Sequence, residues 1–127
     1  YQETLPKILE HDWNGWWFSK DEPNSYIAFD FHDHRVNVTG YSIKTYREQK
    51  EFRHLKSWVL EGSNGDNWTE IDSESNHKLN GPNCVATFSC GNQKQYFQNL
   101  RLRMTGLNHH NDDILVISEF EIFGTYE

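Results

Sequence analysis

The 127 residues contain only two cysteines, Cys84 and Cys90. Between them runs Val85-Ala86-Thr87-Phe88-Ser89, an alternating stretch rich in β-formers. Extended at about 3.3 Å per residue, the two cysteines would stand ~20 Å apart. A disulfide holds its Cα atoms within roughly 7 Å. In a single strand they are therefore two free thiols on one face, with Ala86 and Phe88 between them. Free thiols point to a reducing compartment. Two triplets pull the other way: Asn37-Val38-Thr39 and Asn67-Trp68-Thr69 both have the N-glycosylation pattern.

Positive charge is scarce as well. Twelve Lys and Arg face nineteen Asp and Glu, for a formal net charge of −7. That balance argues against a nucleic-acid backbone or an anionic membrane surface as partner. No apolar run approaches the ~18 residues of a membrane-spanning helix, and no signal-peptide pattern opens the chain. The expected location is cytoplasmic. Catalytic signatures are missing too: there is no G-x-S-x-G elbow, no P-loop, no dinucleotide fingerprint and no HExxH. The chain is not expected to be an enzyme.

What the chain does have is aromatic bulk, 15% Phe, Trp and Tyr, enough to fill much of a core. Its length fits one domain spanning 1–127, large enough to fold without disulfides. Alternation and β-propensity predict strands at Tyr26–Phe31, Val38–Tyr46, Trp58–Gly62, Trp68–Ile71, Val85–Ser89, Tyr96–Met104 and Ile117–Phe123. On the first of these, Tyr26, Ala28 and Asp30 face one way and Ile27, Phe29 and Phe31 the other. The first 25 residues have no clean period. Asn64-Gly65 suits a hairpin turn, and Pro23-Asn24-Ser25 is turn chemistry. Seven or eight short strands with no convincing helix describe an all-β antiparallel β-sandwich or barrel. An inward aromatic on each strand of the hairpin, Trp58 and Trp68, would fill the ~10 Å between two sheets.

Three stretches, in order, carry a resemblance. They are SYIAFDFHDHRVNVTGYSIKT, then SWVLEGSNGDNWTEID, then YFQNLRLRMTG followed by ISEFEIFG. Together they resemble the discoidin, or factor V/VIII type C (F5/8 type C), domain of the galactose-binding-like superfamily, over Ser25 to Gly124. The wording LKSWVLEGSNG with TGLNHHNDDILVISEFEIFG is most similar to an intracellular branch of that family. The resemblance implies a jelly-roll sandwich that acts as a non-catalytic recognition module. It also implies ligand binding by loops at the end away from the chain termini. Two departures stand out. Secreted members join their ends by a cysteine pair, which this chain lacks, and membrane-binding members carry apolar spikes that here would sit amid charge.

Counting strand directions puts the segment 16–25, REQKEFRH, DSESNHKLNGPN and TGLNHHNDD at that ligand-binding end. The candidate residues come from these loops. Trp16 and Trp17 would stack on a sugar or anchor a protein; the alternative is that they plug the sandwich. Arg47, Phe52, Arg53 and His54 would bind a carboxylate or an acidic peptide through bidentate arginine contacts; the alternative is a solvated loop. Asn108, His109 and His110 would hydrogen-bond a sugar or a peptide backbone. For metal, His32 and His34 beside Asp30, and His109 and His110 with Asp112 and Asp113, lack an established ligand spacing. No cofactor is expected. A structural calcium would draw on Asp21, Glu22 and Glu121. The leading expectation is a protein or peptide partner; the alternative is a carbohydrate-binding module, attached to a larger enzyme.

Overall fold

The computed structural model describes residues 7–45, 54–75, 81, 84–90 and 95–126, with the backbone alone for 7–18 and 126. Eight strands lie within these residues: β1 (Lys7–Phe18), β2 (Tyr26–Asp30), β3 (Val36–Lys44), β4 (Trp58–Ser63), β5 (Trp68–Glu74), β6 (Val85–Ser89), β7 (Asn99–Met104) and β8 (Val116–Tyr126). They form two four-stranded sheets, ordered β1-β8-β3-β6 and β2-β7-β4-β5, antiparallel throughout. The all-β sandwich expected from the alternation is the fold observed.

The clearest strand in the sequence is β7. Leu100, Leu102 and Met104 are buried, while Asn99, Arg101 and Arg103 alternate with them toward solvent. Across the sandwich β3 contributes Val38, Tyr41 and Ile43, and β8 contributes Ile117, Phe120 and Ile122. Each such side chain contributes about 1.5–3 kcal/mol by leaving water, so this layer, rather than the connections, holds the sheets together. Cys84 and Cys90 are free thiols that pack against the core with Ala86 and Phe88, as the strand spacing required. Burial pushes the Cys90 thiol up to about 12, with the Asp72 charge adding to it.

Two expectations need correction. The first 25 residues, which have no readable period, supply β1, the edge strand beside β8. Its register breaks between Lys7 and Leu9 and again between Asp12 and Trp17. Breaks of this kind interrupt the two-residue period by which a strand is read from sequence. The second concerns the tryptophan hairpin. Trp58 is fully buried, and its Nε1 donates to the Tyr41 hydroxyl (2.9 Å), which donates to Asp72 Oδ2 (2.6 Å). Burial first, and then the Asp72 hydrogen bond, push the Tyr41 phenol well above its ordinary value. Trp68, however, is opposite Ser63. Directly paired residues share a face. Since Trp58 and Leu60 point inward and Gly62 abuts the buried Phe97 ring, Ser63 and Trp68 lie on the outer face.

Alternating strand direction sorts the connections into two groups. The β1–β2, β3–β4, β5–β6 and β7–β8 connections lie at one end. The β2–β3, β4–β5 and β6–β7 connections lie at the other, beside the C-terminal end of β8. There Val36 bridges Phe97, and Asn64 Nδ2 donates to the Tyr96 carbonyl (2.9 Å).

Candidate functional site

The first end is built as one unit. Ser19, just after β1, exchanges hydrogen bonds with Leu115: Ser19 N donates to the Leu115 carbonyl (3.0 Å), and Leu115 N donates to Ser19 Oγ (2.9 Å). Asp113 N donates to Asp21 Oδ1 (2.8 Å). His54 bridges Val116 in parallel, and its carbonyl accepts from His109 N (3.0 Å). Thr105 N donates to the Ser57 carbonyl (3.1 Å) and Met104 N to the Ser25 carbonyl (2.9 Å). The β1–β2 and β7–β8 connections and the approach to β4 are thereby locked together.

An open cleft of about 410 Å³ lies in this end, lined by Ser19, Lys20, Glu22, Pro23, Asn24, Ser25 and Tyr26. Tyr26 is 51% exposed. It forms an apolar wall among polar groups. Ser25 Oγ bonds the carbonyls of Glu22 (2.6 Å) and Lys20 (3.1 Å), which curls the loop around itself. Asn24 adopts a left-handed φ of 63°, a conformation asparagine tolerates better than most residues. Its Oδ1 accepts from Arg103 Nη1 (2.8 Å), so its amide N–H groups are oriented away from that bond. A ring face, an ammonium, a carboxylate and an oriented amide around a shallow cleft suit a polar ring with hydroxyls.

The predicted site residues scatter against this frame. Trp16 and Trp17 belong to β1: Trp17 pairs with Ile117, and Trp16 sits in the stretch where the register is broken. Their backbones lead directly into Ser19 at the cleft. Arg47, Phe52 and Arg53 lie outside the described residues. His54 is 1% exposed and Asn108 fully buried. Asn108 is an organiser of its loop. Its Nδ2 donates to Asp112 Oδ1 (2.6 Å) and the Ile114 carbonyl (2.9 Å), while its Oδ1 accepts from His110 N (2.9 Å) and Asp112 N (3.2 Å). Those bonds use its hydrogen-bonding capacity inside the loop. His109 is half-buried, and His110 and Leu107 are exposed on the same loop.

No group of three or more His, Cys, Asp or Glu side chains gathers among the described residues. His32 Nδ1 is 3.7 Å from Asp30 Oδ2, at the opposite end. Asp21 caps the β7–β8 loop, whereas Glu121 pairs with Ser42 half-way along β8, so Asp21, Glu22 and Glu121 are not brought to one place. Of the cleft residues, Lys20, Asn24 and Tyr26 were not singled out as ligand contacts from the sequence, and Glu22 was considered only for calcium. The available signal was Tyr26 itself, an aromatic on the polar face of its strand beside a Pro-Asn-Ser turn.

No protein-family model matches the chain, and neither does any curated protein. Solved structures do. A family 32 carbohydrate-binding module, CBM32-3 of a family 31 glycoside hydrolase from Clostridium perfringens, superposes with a TM-score of 0.68 at 13% identity, covering 95% of this chain and 91% of that one. The CpGH89CBM32-5 module of Clostridium perfringens, in complex with GalNAc-β-1,3-galactose, gives 0.66 at 14% identity over 86% and 75%. Chitosan-binding module 1 of a Paenibacillus chitosanase/glucanase gives 0.62 at 15% identity over 89% and 78%. This fold is therefore the discoidin, or galactose-binding-like, jelly roll that the sequence resembled.

Proposed function

We propose that this chain is a non-catalytic carbohydrate-binding module that takes one or two sugar units in the cleft beside Tyr26. The observation that supports it is the cleft itself: a half-exposed tyrosine ring among Lys20, Glu22, Asn24 and Ser25, on loops clamped to a rigid sandwich. The ring offers the C–H face of a pyranose an apolar platform, and the surrounding groups offer donors and acceptors for its hydroxyls. Structures of similar fold hold GalNAc-β-1,3-galactose or galactose, and others are named for chitosan or fucose. Carbohydrate displaces a protein or peptide partner as the leading reading. Of the residues that motivated the peptide, Arg47, Phe52 and Arg53 lie outside the described residues, His54 is buried, and His109 and His110 lie on the loop beside the cleft, where they suit a sugar as well. His110, exposed on the adjoining loop, is the second contact we assign.

An open cleft buries little of its ligand, so affinity should be weak, with Kd on the order of 1 mM, about −4 kcal/mol. The test is titration of the protein with galactose, N-acetylgalactosamine, fucose and a chitosan oligomer, followed by NMR chemical-shift changes. Saturable shifts confined to residues 19–26 and 107–113, lost in Tyr26→Ala, are the expected result. Absence of shifts with every sugar, or shifts that survive Tyr26→Ala unchanged, would sink the assignment.

A further inference from the structure

A second cluster lies on the outer face of the β2-β7-β4-β5 sheet. Arg101 projects from β7 toward solvent. Its guanidinium carbon is 4.1 Å from the centroid of the Trp68 ring and 5.3 Å from that of Tyr26. The two rings, on the two edge strands of the sheet, thus hold one guanidinium between them. Glu61 of β4 lies beneath. Its Oε1 accepts from Arg101 Nε (2.7 Å) and Arg103 Nε (3.0 Å), and its Oε2 from Arg103 Nη2 (3.2 Å). Arg103 spends its Nη1 on Asn24. Arg101 spends only its Nε. Among the described residues, no acceptor meets its two Nη nitrogens, although its side chain is only 19% exposed. Two guanidiniums thus share the Glu61 carboxylate; with Asp30 and Glu70 also on this face, the spot is marked by the unbonded Nη fork and not by a surplus of positive charge.

We propose that Arg101, braced between Tyr26 and Trp68, forms a second binding site on the sheet face that takes a sugar unit bearing a carboxylate, of the uronic-acid class. The free Nη pair has the planar fork that matches a carboxylate bidentately. The flanking rings prefix the fork's orientation and offer apolar surface to a pyranose ring. Two other carboxylates lie on this face. Asp30 accepts from His32 N (2.7 Å) and sits near its ring. Glu70, exposed on β5 opposite Glu61, opposes an incoming anion. That opposition supplies a signed test. The site does not rest on the cleft reading, although Tyr26 borders both.

The experiment is calorimetric titration of the protein with trigalacturonic acid at low salt, beside the same trimer as its methyl ester. Binding to the acid should be saturable and should weaken as salt rises. Arg101→Lys keeps a cation above Glu61 but removes the fork, and should weaken binding roughly tenfold. Glu70→Gln should tighten it by roughly two- to fivefold. Galactose binding at the cleft should be unchanged in Glu70→Gln, whose side chain lies on β5 away from the cleft, which keeps failure of one site separable from failure of the other. Three outcomes would overturn the proposal. One is no heat with the acid at about 10 mM, some tenfold above the weak-site range. Another is equal affinity for acid and ester. The last is affinity unmoved by both substitutions. Equal binding of an acidic peptide would overturn the sugar assignment.

Discussion

Truncating Asn108 to alanine should loosen the β7–β8 loop at its centre. The side chain makes four hydrogen bonds within the loop, two donated and two accepted, and is fully buried. A hydrogen bond contributes about 0.5–1.5 kcal/mol net, and a buried group left without its partner costs about 1–3 kcal/mol. The Ile114 carbonyl and the His110 and Asp112 amides lose the partner they use. Water reaches part of this loop, since His110 and Asn111 are exposed, so some of that loss is recovered. The expected destabilisation is ~2–4 kcal/mol. For a domain of this size that is roughly 8–15 °C in Tm. The assay is thermal and urea unfolding followed by circular dichroism, with m-values compared to confirm the same cooperative transition. Asn108→Asp discriminates the mechanism. It keeps the acceptor for the two amides but turns the donor facing Asp112 into a second carboxylate oxygen, so its cost should equal or exceed that of alanine near neutral pH. A loss below about 0.5 kcal/mol for Asn108→Ala, the range of ordinary surface changes, would refute the view that this residue organises the loop.

Two further perturbations test the frame beneath both sites. A Cβ placed on Gly62 would fall within the Phe97 ring, which is 2% exposed and pinned by the Val36 bridge. Gly62→Ala should therefore destabilise by ~1–3 kcal/mol through overpacking, and an unchanged denaturation midpoint would show that Phe97 can move aside. Glu61 titrates in the other direction from a simply buried acid. Burial raises it, but hydrogen bonds and charges from Arg103 and Arg101 outweigh that and hold it below its ordinary 4.5. A carboxyl depressed in the folded state adds stability above its unfolded pKa and loses it as pH falls through the folded one. Melting temperature should thus fall on acidification below about pH 4.5, and fall less steeply in Glu61→Gln; parallel profiles for the two proteins would exclude Glu61 as a contributor.

What could be read from the sequence was what depends on near neighbours. The Leu-Arg-Leu-Arg-Met run of β7 declares its two faces because the strand is regular and one face is buried. The spacing of Cys84 and Cys90 excluded a bridge by length alone. Strand parity placed the β1–β2 and β7–β8 connections at one end, where hydrogen bonds between Asp113 and Asp21 and between Ser19 and Leu115 join them. Failures came where a register break intervened. Two breaks hid β1, and the side taken by Trp68 follows from its pairing with Ser63, beyond a bulge that shifts the register between Leu60 and Glu61. Pairing across a sheet is a long-range choice, and a slip of one residue exchanges inside for outside.

The same reasoning explains why polar residues made poor guides to the sites. Asn108 and His54 were attractive because they are polar and lie on loops, yet both are buried. A loop that projects a stable shape needs interior polar groups to satisfy its own backbone. Tyr26 was the opposite case. Its strand buries Ile27 and Phe29 in part and leaves Tyr26, Ala28 and Asp30 exposed, so a large aromatic there gives up the burial that would stabilise it inside. That exposed aromatic at a strand end, adjoining a turn held by its own hydroxyl bonds, is the platform of the sugar site proposed above. Its second neighbour, Arg101, is separated from it by 75 residues in sequence and by 5.3 Å in space. That juxtaposition is created by the β2–β7 pairing, in which Ala28 lies opposite Arg101 and Tyr26 opposite Arg103. Diagonal neighbours on one face of a sheet are within reach of long side chains, and so a tyrosine at the lip of a cleft also becomes the first wall of the proposed carboxylate site on the sheet.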